Sequence, residues 1–489
     1  MKLKTKYVNL STGGPIIAVL NEEDAKKLDL YALDRVKIRR LKSEKDIVAA
    51  VDISTKGVKP GEIGLFQETV KKLDVAEGTH VEVQPTERPK SLDYIKKKLD
   101  GETLTKEEIY QITEDVLENN LSETEVTYFV AAAYTKGMNL KEAINLTQAI
   151  VDKGYKIKLD RNIILDKHCA GGVPGNRTTL IIVPVVAALG YTIPKTSSRA
   201  ITSAAGTADT MEVLCPVCIS HERILKTIKE TNACMIWEAA LNPMGVDELF
   251  IKIRHPLSID PEGLLLASIM AKKKAVGATH VIVDLPYGEG AKTTYKQAKA
   301  LRKKFIKIGK QLGMKIKVML TDGSQPIGNG VGPVWEAKDV LSVLQGGGPD
   351  DLREKSIMLA SNLLKMAGLK NAEEKVKEVI ESGAAYQKFL QIIQAQGGSK
   401  NIRLPKPKYF HQITSNKQGI VTRIDNQLIA KIARIAGAPK DKAAGLYLRV
   451  HVGNKVKKGK ELFTIYAENK KKLEYAVKLA QHSEVIHIT

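Results

Sequence analysis

The chain has 489 residues, of which 43% are hydrophobic and 27% are charged. At about 150 residues per domain, this length predicts roughly three domains and excludes a single small module. The longest apolar run, residues 180–190, is far shorter than the roughly 20 residues that span a bilayer, which excludes a membrane-spanning helix. The formal net charge of +21 suits either a nucleic-acid binder or an enzyme that handles several phosphates.

The N-terminus and the cysteines indicate the compartment. Residues 1–6 lead into a polar segment without the apolar core of a secretory signal, so we expect a cytoplasmic protein. Cys215 and Cys218 form one close pair, whereas a four-cysteine zinc site normally needs two, so we expect free thiols and no metal. The lysines are spread over many amphipathic helices and only 5% of residues are aromatic, so we expect no nucleic-acid partner.

The first 85 residues contain an internal repeat. Residues 26–30 followed by 36–38 recur as residues 71–75 followed by 81–83, a shift of 45 positions in both parts. Each copy has the pattern of a short helix, a turn and a strand, and two such copies are expected to pair around one core. We therefore predict an N-terminal β-rich repeat domain at 1–85.

Helix-start signals dominate the next segment. Thr105, Ser122 and Asn139 are each followed three residues later by a glutamate, which is the pattern of a capping box. We predict a small helical domain at 91–160, on which residues of about 245–275 pack.

From about residue 161, short β-branched runs alternate with helices. We predict strands at 163–165, 279–285 and 315–320 and helices at 178–189, 292–312 and 336–344. Such alternation is typical of an α/β domain with a mixed, mostly parallel sheet, which we place at 161–410. The last segment, 411–489, has the pattern of an α+β module with strands at 419–422 and 446–452 and a helix at 470–481. The overall fold class is α/β.

Residues 166–179, which follow a predicted strand and open a helix, form the most informative motif. Its glycines allow the backbone to approach a ligand, and the exposed amides at a helix start favour an anion. The motif lacks both the Gly-Lys-Ser/Thr of a Walker A loop and the glycine spacing of a dinucleotide fingerprint. We interpret it as a phosphate-binding loop, with a plain strand-to-helix turn as the alternative.

A second cluster, residues 197–209, concentrates hydroxyl groups around Arg199. Hydroxyl groups donate hydrogen bonds without adding charge, and a guanidinium group can bind a phosphate through two parallel hydrogen bonds. Two loops of this kind predict a site for two phosphates. The alternative for this cluster is a polar surface loop.

Polar residues also mark two segments further along the chain. Asp260 precedes Pro261, as a helix N-cap does, and Ser268 and Lys272 continue in steps of four along one side of an otherwise apolar helix. A cap explains Asp260 alone, but the polar residues on the helix need partners. Lys292 follows a glycine turn at the end of a predicted strand, where open α/β sheets usually bind ligands.

These motifs resemble those of the thymidine and pyrimidine-nucleoside phosphorylases over about residues 91–489. The shared motifs are Asp-Lys-His-x-x-Gly-Gly-Val, Ser-x-Arg with Gly-Thr-x-Asp, and Ala-Ser-Ile-x-x-Lys-Lys. The glycine-loop variant at 174–176, the segment 197–210 and the extra N-terminal domain resemble one branch, the archaeal AMP phosphorylases. The family has its active site in a cleft between a helical and an α/β domain, and it forms homodimers or larger homo-oligomers.

The resemblance also implies site residues. Asp260 is implied as the proton donor, and we expect the leucines that follow it to bury it partly. Lys167 and His168 are implied to line the phosphate or the base, and Lys272 to approach the base. Arg254 lies near the position of the arginine that reads a pyrimidine ring, but its different spacing to Ser268 favours a base other than thymine. The implied nucleotide-binding residues are Gly172, Ser198, Arg199, Ala200, Ile201, Thr202, Ser203, Thr207, Ser268 and Lys292.

The implied reaction is the phosphorolysis of AMP, and also of CMP and UMP, by orthophosphate to a free base and ribose 1,5-bisphosphate in nucleotide catabolism. Orthophosphate is a co-substrate, and no cofactor is expected. Three alternatives stay open. They are a pyrimidine-nucleoside phosphorylase, a phosphoribosyltransferase, which would need a magnesium-binding acidic pair that we do not identify, and a basic RNA-binding protein.

Overall fold

The computed structural model describes residues 1–41, 45–200, 203–238, 245–254, 256–257 and 259–489. The chain divides into two compact units, Met1–Lys153 with Met244–Ala267 and Gly154–Pro243 with Ser268–Thr489. Within the described ranges, no helix has both the length and the apolar character needed to cross a membrane.

The first unit begins with a closed six-stranded barrel. The elements of the barrel are β1 (Lys2–Tyr7), β2 (Ile17–Asn21), α1 (Glu22–Lys27), β3 (Arg35–Arg40), β4 (Asp46–Ser54), β5 (Glu62–Leu65), α2 (Gln67–Leu73) and β6 (His80–Pro85). Around the barrel, the strands follow the order β1-β5-β2-β4-β3-β6. They alternate apolar and polar residues, so one face of each strand fills the interior, with Leu20, Ile38 and Ile63 fully buried.

The internal repeat of the sequence appears as a pseudo-two-fold symmetry of this barrel. Strands β3 and β6 are antiparallel, and Val36 of β3 pairs with Pro85 of β6. The positions equivalent by the 45-residue repeat are Val81 in β6 and Arg40 in β3, and these two residues also pair. Strands β2 and β5 follow the same rule. The helix, turn and strand predicted for each copy are therefore confirmed.

The rest of the first unit is helical. Thr105 and Ser122 form capping boxes with the glutamates three residues later, and Asn139 and Glu142 exchange the same pair of hydrogen bonds, which confirms all three predicted helix starts. The apolar faces pack into one core, in which the Phe129 ring lies 5.7 Å from that of Phe250. The helices are α3 (Ser91–Leu99), α4 (Lys106–Glu118), α5 (Glu123–Thr135), α6 (Leu140–Lys153), α10 (Val246–Arg254) and the beginning of α11 (Glu262–Ala275).

The second unit is built on parallel strands with helices packed around them. The parallel strands are β7 (Leu165–Cys169), β8 (Ile193–Ser197), β9 (Ala233–Trp237), β10 (His280–Tyr287) and β11 (Lys315–Asp322). They are followed by a short strand, β12 (Gly330–Val331), whose pairing is antiparallel. The helices are α7 (Thr178–Ala188), α8 (Thr207–Met211), α9 (His221–Thr231), α12 (Tyr295–Gln311), α13 (Pro333–Leu344), α14 (Asp350–Met366), α15 (Ala372–Glu381) and α16 (Ala384–Ala395). The parallel strands have the orders β11-β10-β7 and β8-β9, and a bridge between Ile164 and Thr192 joins β7 to β8. Helix α7 is buried over nearly its whole length.

Several bounds in this unit differ from the predicted ones; the strand predicted at 446–452, for example, spans Gly445–Leu448. Two of the differences have clear physical reasons. Strand β7 includes Asp166 and Lys167, which the sequence pattern assigns to a loop. Lys273 neutralises Asp166 inside the domain, and two hydroxyl groups accept hydrogen bonds from Lys167. Helix α12 begins at Tyr295 and not at 292, because Thr294 and Gln297 form a capping box there.

The C-terminal part of the second unit is an α+β arrangement of two small antiparallel sheets. Its elements are β13 (Tyr409–Thr414), β14 (Gly419–Ile424), α17 (Asn426–Ala436), β15 (Gly445–Leu448), β16 (Lys455–Val456), β17 (Glu461–Ala467), α18 (Lys470–Gln481) and β18 (Ile486–Ile488). The sheets have the strand orders β12-β15-β17-β13 and β16-β14-β18. Strand β12 precedes the C-terminal part in sequence and pairs with β15. This pairing connects the C-terminal part to the segment that contains the parallel strands. The predicted helix at 470–481 is observed with the same bounds.

Candidate active site

Three glycines shape the glycine loop, which we define as residues 170–177 between β7 and α7. Gly171, Gly172 and Gly175 have φ angles of +81°, +92° and +73°, a conformation that other residues rarely adopt. A Cβ atom on Gly172 would lie 2.8 Å from the backbone nitrogen of Lys292, and one on Gly175 would lie 2.1 Å from the carbonyl oxygen of Ile327. The loop needs glycine at these two positions because other main-chain segments pass against it.

Gly172 and Lys292, two of the predicted nucleotide-binding residues, are therefore in contact. Lys292 is exposed on the turn between β10 and α12. Its side chain passes along the glycines, with Cγ 2.8 Å from a Cβ placed on Gly172 and Cε 3.9 Å from one placed on Gly171. This contact brings a cation next to two partly exposed glycines of the loop.

Lys167 and His168 are neighbours on β7, so their side chains point to opposite faces of the sheet. Lys167 is fully buried, and its Nζ donates to the hydroxyl groups of Thr178 (2.8 Å) and Thr179 (3.2 Å) at the start of α7. Burial lowers the pKa of Lys167. Burial, and after it the positive charge of Lys273, holds the pKa of His168 well below its ordinary value, so the imidazole is neutral at pH 7.

A buried carboxylate on β7, Asp166, is shared by two lysines. Nζ of Lys273 on α11 lies 2.6 Å from Oδ2, and Nζ of Lys195 on β8 lies 3.6 Å from Oδ1. Burial lowers the pKa of Lys195. Two amino groups facing a single carboxylate give this part of the interior a bias towards anions.

A second buried carboxylate, Asp284 on β10, holds the glycine loop through a hydrogen bond. It accepts hydrogen bonds from Asn176 of the loop (3.1 Å) and Thr321 of β11 (2.6 Å), and it pairs with Lys355 of α14 (3.1 Å). Burial alone would raise the pKa of Asp284, but Lys355 and Lys167 outweigh burial and lower this pKa. The carboxylate of Asp284 is therefore ionised at neutral pH and accepts the hydrogen bond from Asn176 of the loop.

Asp209 organises the second loop, which we define as residues 198–209. Its carboxylate accepts hydrogen bonds from the backbone amides of Ala200 (2.7 Å) and Gly206 (2.9 Å). A Cβ atom on Gly206 would lie 2.6 Å from both the Ala200 nitrogen and the Ser198 oxygen. The two ends of the loop are thus held together, which brings Ser198 and Ala200 next to Thr207.

Carboxylates engage the guanidinium group of Arg199. Its Nη1 and Nη2 donate to the two oxygens of Glu212 (2.7 and 2.5 Å), and Nη1 also donates to Asp209 (3.2 Å). The guanidinium carbon lies 4.7 Å from the centre of the Trp237 ring. The hydrogen bonds to Glu212 raise the pKa of Arg199. The sequence predicts that Arg199 donates two parallel hydrogen bonds to a phosphate; in the structure, it donates them to the carboxylate of Glu212.

Arg177 joins the two loops. From the end of the glycine loop, its Nη2 donates to the carbonyl oxygen of Ala205 in the second loop, and its Nε donates to Glu336 of α13. Glu336 also accepts a hydrogen bond from Thr210 (2.9 Å). Burial raises the pKa of Glu336, and the positive charge of Arg177 offsets only part of this increase. The spacing of the two loops is therefore set by an arginine to which the motifs assign no role.

The other predicted binding residues of the second unit lie in the second loop and on α11. Ser203 donates to the carbonyl oxygen of Ala205 (2.9 Å). Ser268 is buried on α11, which an ion pair anchors to β7, and Lys272 of the same helix lies 2.9 Å from Glu238. Two further predicted residues, Ile201 and Thr202, lie outside the described residues.

Asp260, the predicted proton donor, belongs to the first unit. Helix α11 begins two residues later, at Glu262. The side chain of Asp260 is 42% exposed, and its Oδ1 lies 3.5 Å from Nη1 of the buried Arg254. The carboxylate is thus only partly buried, and it lies against Arg254, whereas Leu264 packs into the helical core.

Sequence motifs alone do not reveal the buried charges that support the two loops. Asp284 interrupts a run of apolar residues in β10, and Lys195 lies in the buried strand β8; a charge inside a buried strand must be paired. That rule could have marked both residues, although it could not have named their partners.

The two loops together carry hydroxyl groups and cations, which are groups that the sequence motifs associate with a phosphate site. Among the residues that the structure describes, no three His, Cys, Asp or Glu side chains are grouped so that they could hold a metal ion. All four cysteines are free thiols.

Family models match three successive segments of the chain. They are the glycosyl transferase family helical bundle domain at residues 92–154, the glycosyl transferase family a/b domain at 161–386 and the pyrimidine nucleoside phosphorylase C-terminal domain at 420–487. The crystal structure of an anthranilate phosphoribosyltransferase from Thermus thermophilus has a similar fold, with a TM-score of 0.54, 18% identity, and coverage of 62% of this chain and 99% of that one. The α/β class with a helical domain is confirmed.

Proteins named AMP phosphorylase match along the whole chain. Those from Thermococcus sibiricus and Thermococcus kodakarensis are each 44% identical over 496 residues, which cover 100% of this chain and 98% of theirs. That from Methanocaldococcus jannaschii is 43% identical over 473 residues, which cover 95% of this chain and 93% of its own. These matches confirm the resemblance seen in the motifs, and similarity of this extent shows that the chain belongs to the AMP phosphorylase family.

Proposed function

We propose that the protein catalyses the phosphorolysis of AMP, in which orthophosphate displaces adenine and ribose 1,5-bisphosphate is formed, as a step of nucleotide catabolism. One observation carries the proposal: two loops with the chemistry of a phosphate site are held together by Arg177. AMP and orthophosphate bring two phosphates to one site, whereas a nucleoside and orthophosphate bring one. The similarity to AMP phosphorylases over the full chain supports the same assignment.

In the proposed reaction, an oxygen of orthophosphate attacks the anomeric carbon of the ribose while the bond to the base breaks. The transition state has oxocarbenium character, and the base leaves best when it is protonated. We assign this proton transfer to Asp260, which for adenine would protonate the ring nitrogen N7.

Two phosphates in one site repel each other, so cations have to offset their charge. We assign Lys292 to the 5′-phosphate, because its side chain lies against Gly172 of the glycine loop. We assign Lys167 an indirect effect on the bound phosphates, through the hydroxyl groups of Thr178 and Thr179, to which its amino group donates hydrogen bonds. The scheme uses orthophosphate as a co-substrate and needs neither a metal ion nor another cofactor. The remaining nucleotide contacts are assigned to Ser198, Arg199, Ala200, Ile201, Thr202, Ser203, Thr207 and Ser268.

We further propose that CMP and UMP are substrates, and that the enzyme works in the cytoplasm as a homodimer or a larger homo-oligomer without nucleic-acid or membrane partners. Four free cysteines suit a reducing compartment. On the barrel, Tyr31 and Leu33 are 72% and 80% exposed, and exposed apolar groups of this size favour contact with another protein surface.

The nearest alternative is a pyrimidine-nucleoside phosphorylase, the enzyme after which the family model at residues 420–487 is named. Such an enzyme has no 5′-phosphate to bind and would not need Lys292 beside the glycine loop. A basic RNA-binding protein, the more distant alternative, would make no use of Asp260.

The test is the release of adenine from AMP with and without added orthophosphate. The proposal predicts release only when orthophosphate is present. Release of a base from nucleosides but not from AMP would favour the nucleoside phosphorylase. If no nucleotide or nucleoside is cleaved and the protein retains RNA, the binding protein is the better interpretation.

A further inference from the structure

Glu212 stands between two cations from different parts of the second unit. One is Arg199 of the second loop, which donates to both carboxylate oxygens of Glu212 (2.7 and 2.5 Å). The other is Lys442 of the C-terminal part, whose Nζ lies 2.6 Å from Oε2 of Glu212. The hydrogen bonds from Arg199, followed by those from Lys442, lower the pKa of Glu212 to about 2, so the carboxylate is ionised at neutral pH.

The bidentate pair with Glu212 uses the donors of Arg199 that would bind a phosphate. A phosphate oxyanion needs the same two parallel N–H groups. Through its Nη1–Nη2 edge, which Glu212 occupies, Arg199 can therefore bind a phosphate only if a carboxylate leaves.

Asp209 and Glu212, the two acidic partners of Arg199, differ in how easily they can leave. Asp209 is only 3% exposed and is held by the backbone amides of Ala200 and Gly206, so its removal would open the loop. The side chain of Glu212 is 30% exposed and lies 2.6 Å from a second cation, Lys442, whereas Asp209 lies 4.0 Å from that lysine. Glu212 is therefore the carboxylate that can move without leaving a charge unpaired.

We propose that Glu212 competes with a phosphate dianion for Arg199, and that Lys442 retains Glu212 when the phosphate binds. The inference rests on the proposed function, because it takes Arg199 as a phosphate ligand. The dianion is either the 5′-phosphate of AMP or orthophosphate. Glu212 and Lys442 are positioning residues in this scheme, since they act on the ligand only through Arg199.

The exchange links the C-terminal part of the second unit to substrate binding. Phosphate binding strengthens the contact of Glu212 with Lys442, and by reciprocity the contact of Glu212 with Lys442 favours phosphate binding. Loss of Glu212 and loss of Lys442 should therefore change the affinity in opposite directions, which a purely structural role of the pair does not predict.

The test measures binding by calorimetry with four proteins: the wild type, Glu212→Gln, Lys442→Met and the double variant. Each is titrated with AMP in the absence of orthophosphate, with orthophosphate alone and with adenosine alone, so that no turnover occurs. Glu230→Gln on α9 is the matched control, because it removes one negative charge from an exposed surface position. Thermal denaturation verifies that each variant is folded.

We expect Glu212→Gln to bind AMP, orthophosphate or both about twofold to fivefold more tightly, the range for the loss of one partly exposed ion pair. Lys442→Met should bind the same ligand about twofold more weakly, because Glu212 then has only Arg199 as a partner. In the Glu212→Gln background, the Lys442→Met substitution should have no further effect. Adenosine binding should not change, and Glu230→Gln should behave as the wild type.

Unchanged or weaker binding of both phosphate ligands by Glu212→Gln would overturn the inference, as would an equal gain for adenosine. A loss from Lys442→Met that persists in the double variant would also overturn it, because Lys442 would then act without Glu212. The proposed function is judged separately, by turnover of AMP in the wild type. A wild type without that turnover still tests the exchange through orthophosphate binding.

Discussion

Replacing Gly172 and Gly171 separately by alanine tests how the glycine loop positions Lys292. Both glycines have a positive φ, so each substitution introduces backbone strain of about 1–2 kcal/mol. Only at Gly172 would the new Cβ also meet Lys292, at 2.8 Å from its backbone nitrogen. At Gly171 the nearest atom is Cε of Lys292 at 3.9 Å, an ordinary contact. Gly171→Ala is therefore the matched control for strain.

The size of the effect follows from this contact. To restore a normal separation of 3.4 Å, the backbone of Lys292 has to move by about 0.6 Å, and displacements of this order lower catalytic efficiency roughly tenfold or more. We expect Gly172→Ala to lose about tenfold to a hundredfold in kcat/KM for AMP, and Gly171→Ala to lose no more than about threefold. Both variants should show a similar decrease in the midpoint of thermal denaturation.

The assay is the initial rate of adenine release at several AMP concentrations, with saturating orthophosphate. If both variants lose the same factor, strain alone explains the loss and the contact with Lys292 has no functional weight. If Gly172→Ala keeps the full efficiency of the wild type, the glycine loop does not position Lys292 for the nucleotide.

Three further predictions concern the proton donor, the 5′-phosphate and the barrel. Asp260→Asn should reduce kcat by roughly two to four orders of magnitude with little change in the affinity for AMP, and unchanged turnover at saturating AMP would leave Asp260 without a role in proton transfer. Lys292→Ala should lose about 1.5–3 kcal/mol of specificity for AMP, measured as kcat/KM, and almost none for adenosine, whereas an equal loss on both substrates would refute its assignment to the 5′-phosphate. Deletion of residues 1–84 should lower the mass of the assembly in light scattering while a folded core remains; retention of the full mass would assign the barrel another role.

The features that the sequence predicts well depend on neighbouring residues. The capping boxes at Thr105 and Ser122 and the bounds of α18 follow from short-range patterns, which the structure confirms. The 45-residue repeat predicts two equivalent helix–turn–strand copies, although it does not predict that their strands close into one barrel. Closure depends on pairing between residues that are far apart in the chain.

The charges of the candidate site illustrate what the sequence pattern could not predict. Asp166 and Lys167 have the composition of a loop, yet they lie in a buried strand because Lys273, more than 100 residues away, neutralises Asp166. Arg199 is predicted as an open phosphate ligand, and its engagement by Glu212 becomes visible only when the loop is folded against α8. Long-range charge pairs of this kind leave no periodic signal in a single sequence.

The central claim is that orthophosphate is added to a nucleotide, and the products formed from AMP test it most directly. Phosphorus nuclear magnetic resonance can follow a mixture of the protein, AMP and orthophosphate while adenine release is measured in parallel. We expect that one orthophosphate is consumed for each adenine released, and that the sugar product carries two phosphate groups. Adenine release with formation of ribose 5-phosphate and no consumption of orthophosphate would contradict it, as would a complete absence of reaction with AMP.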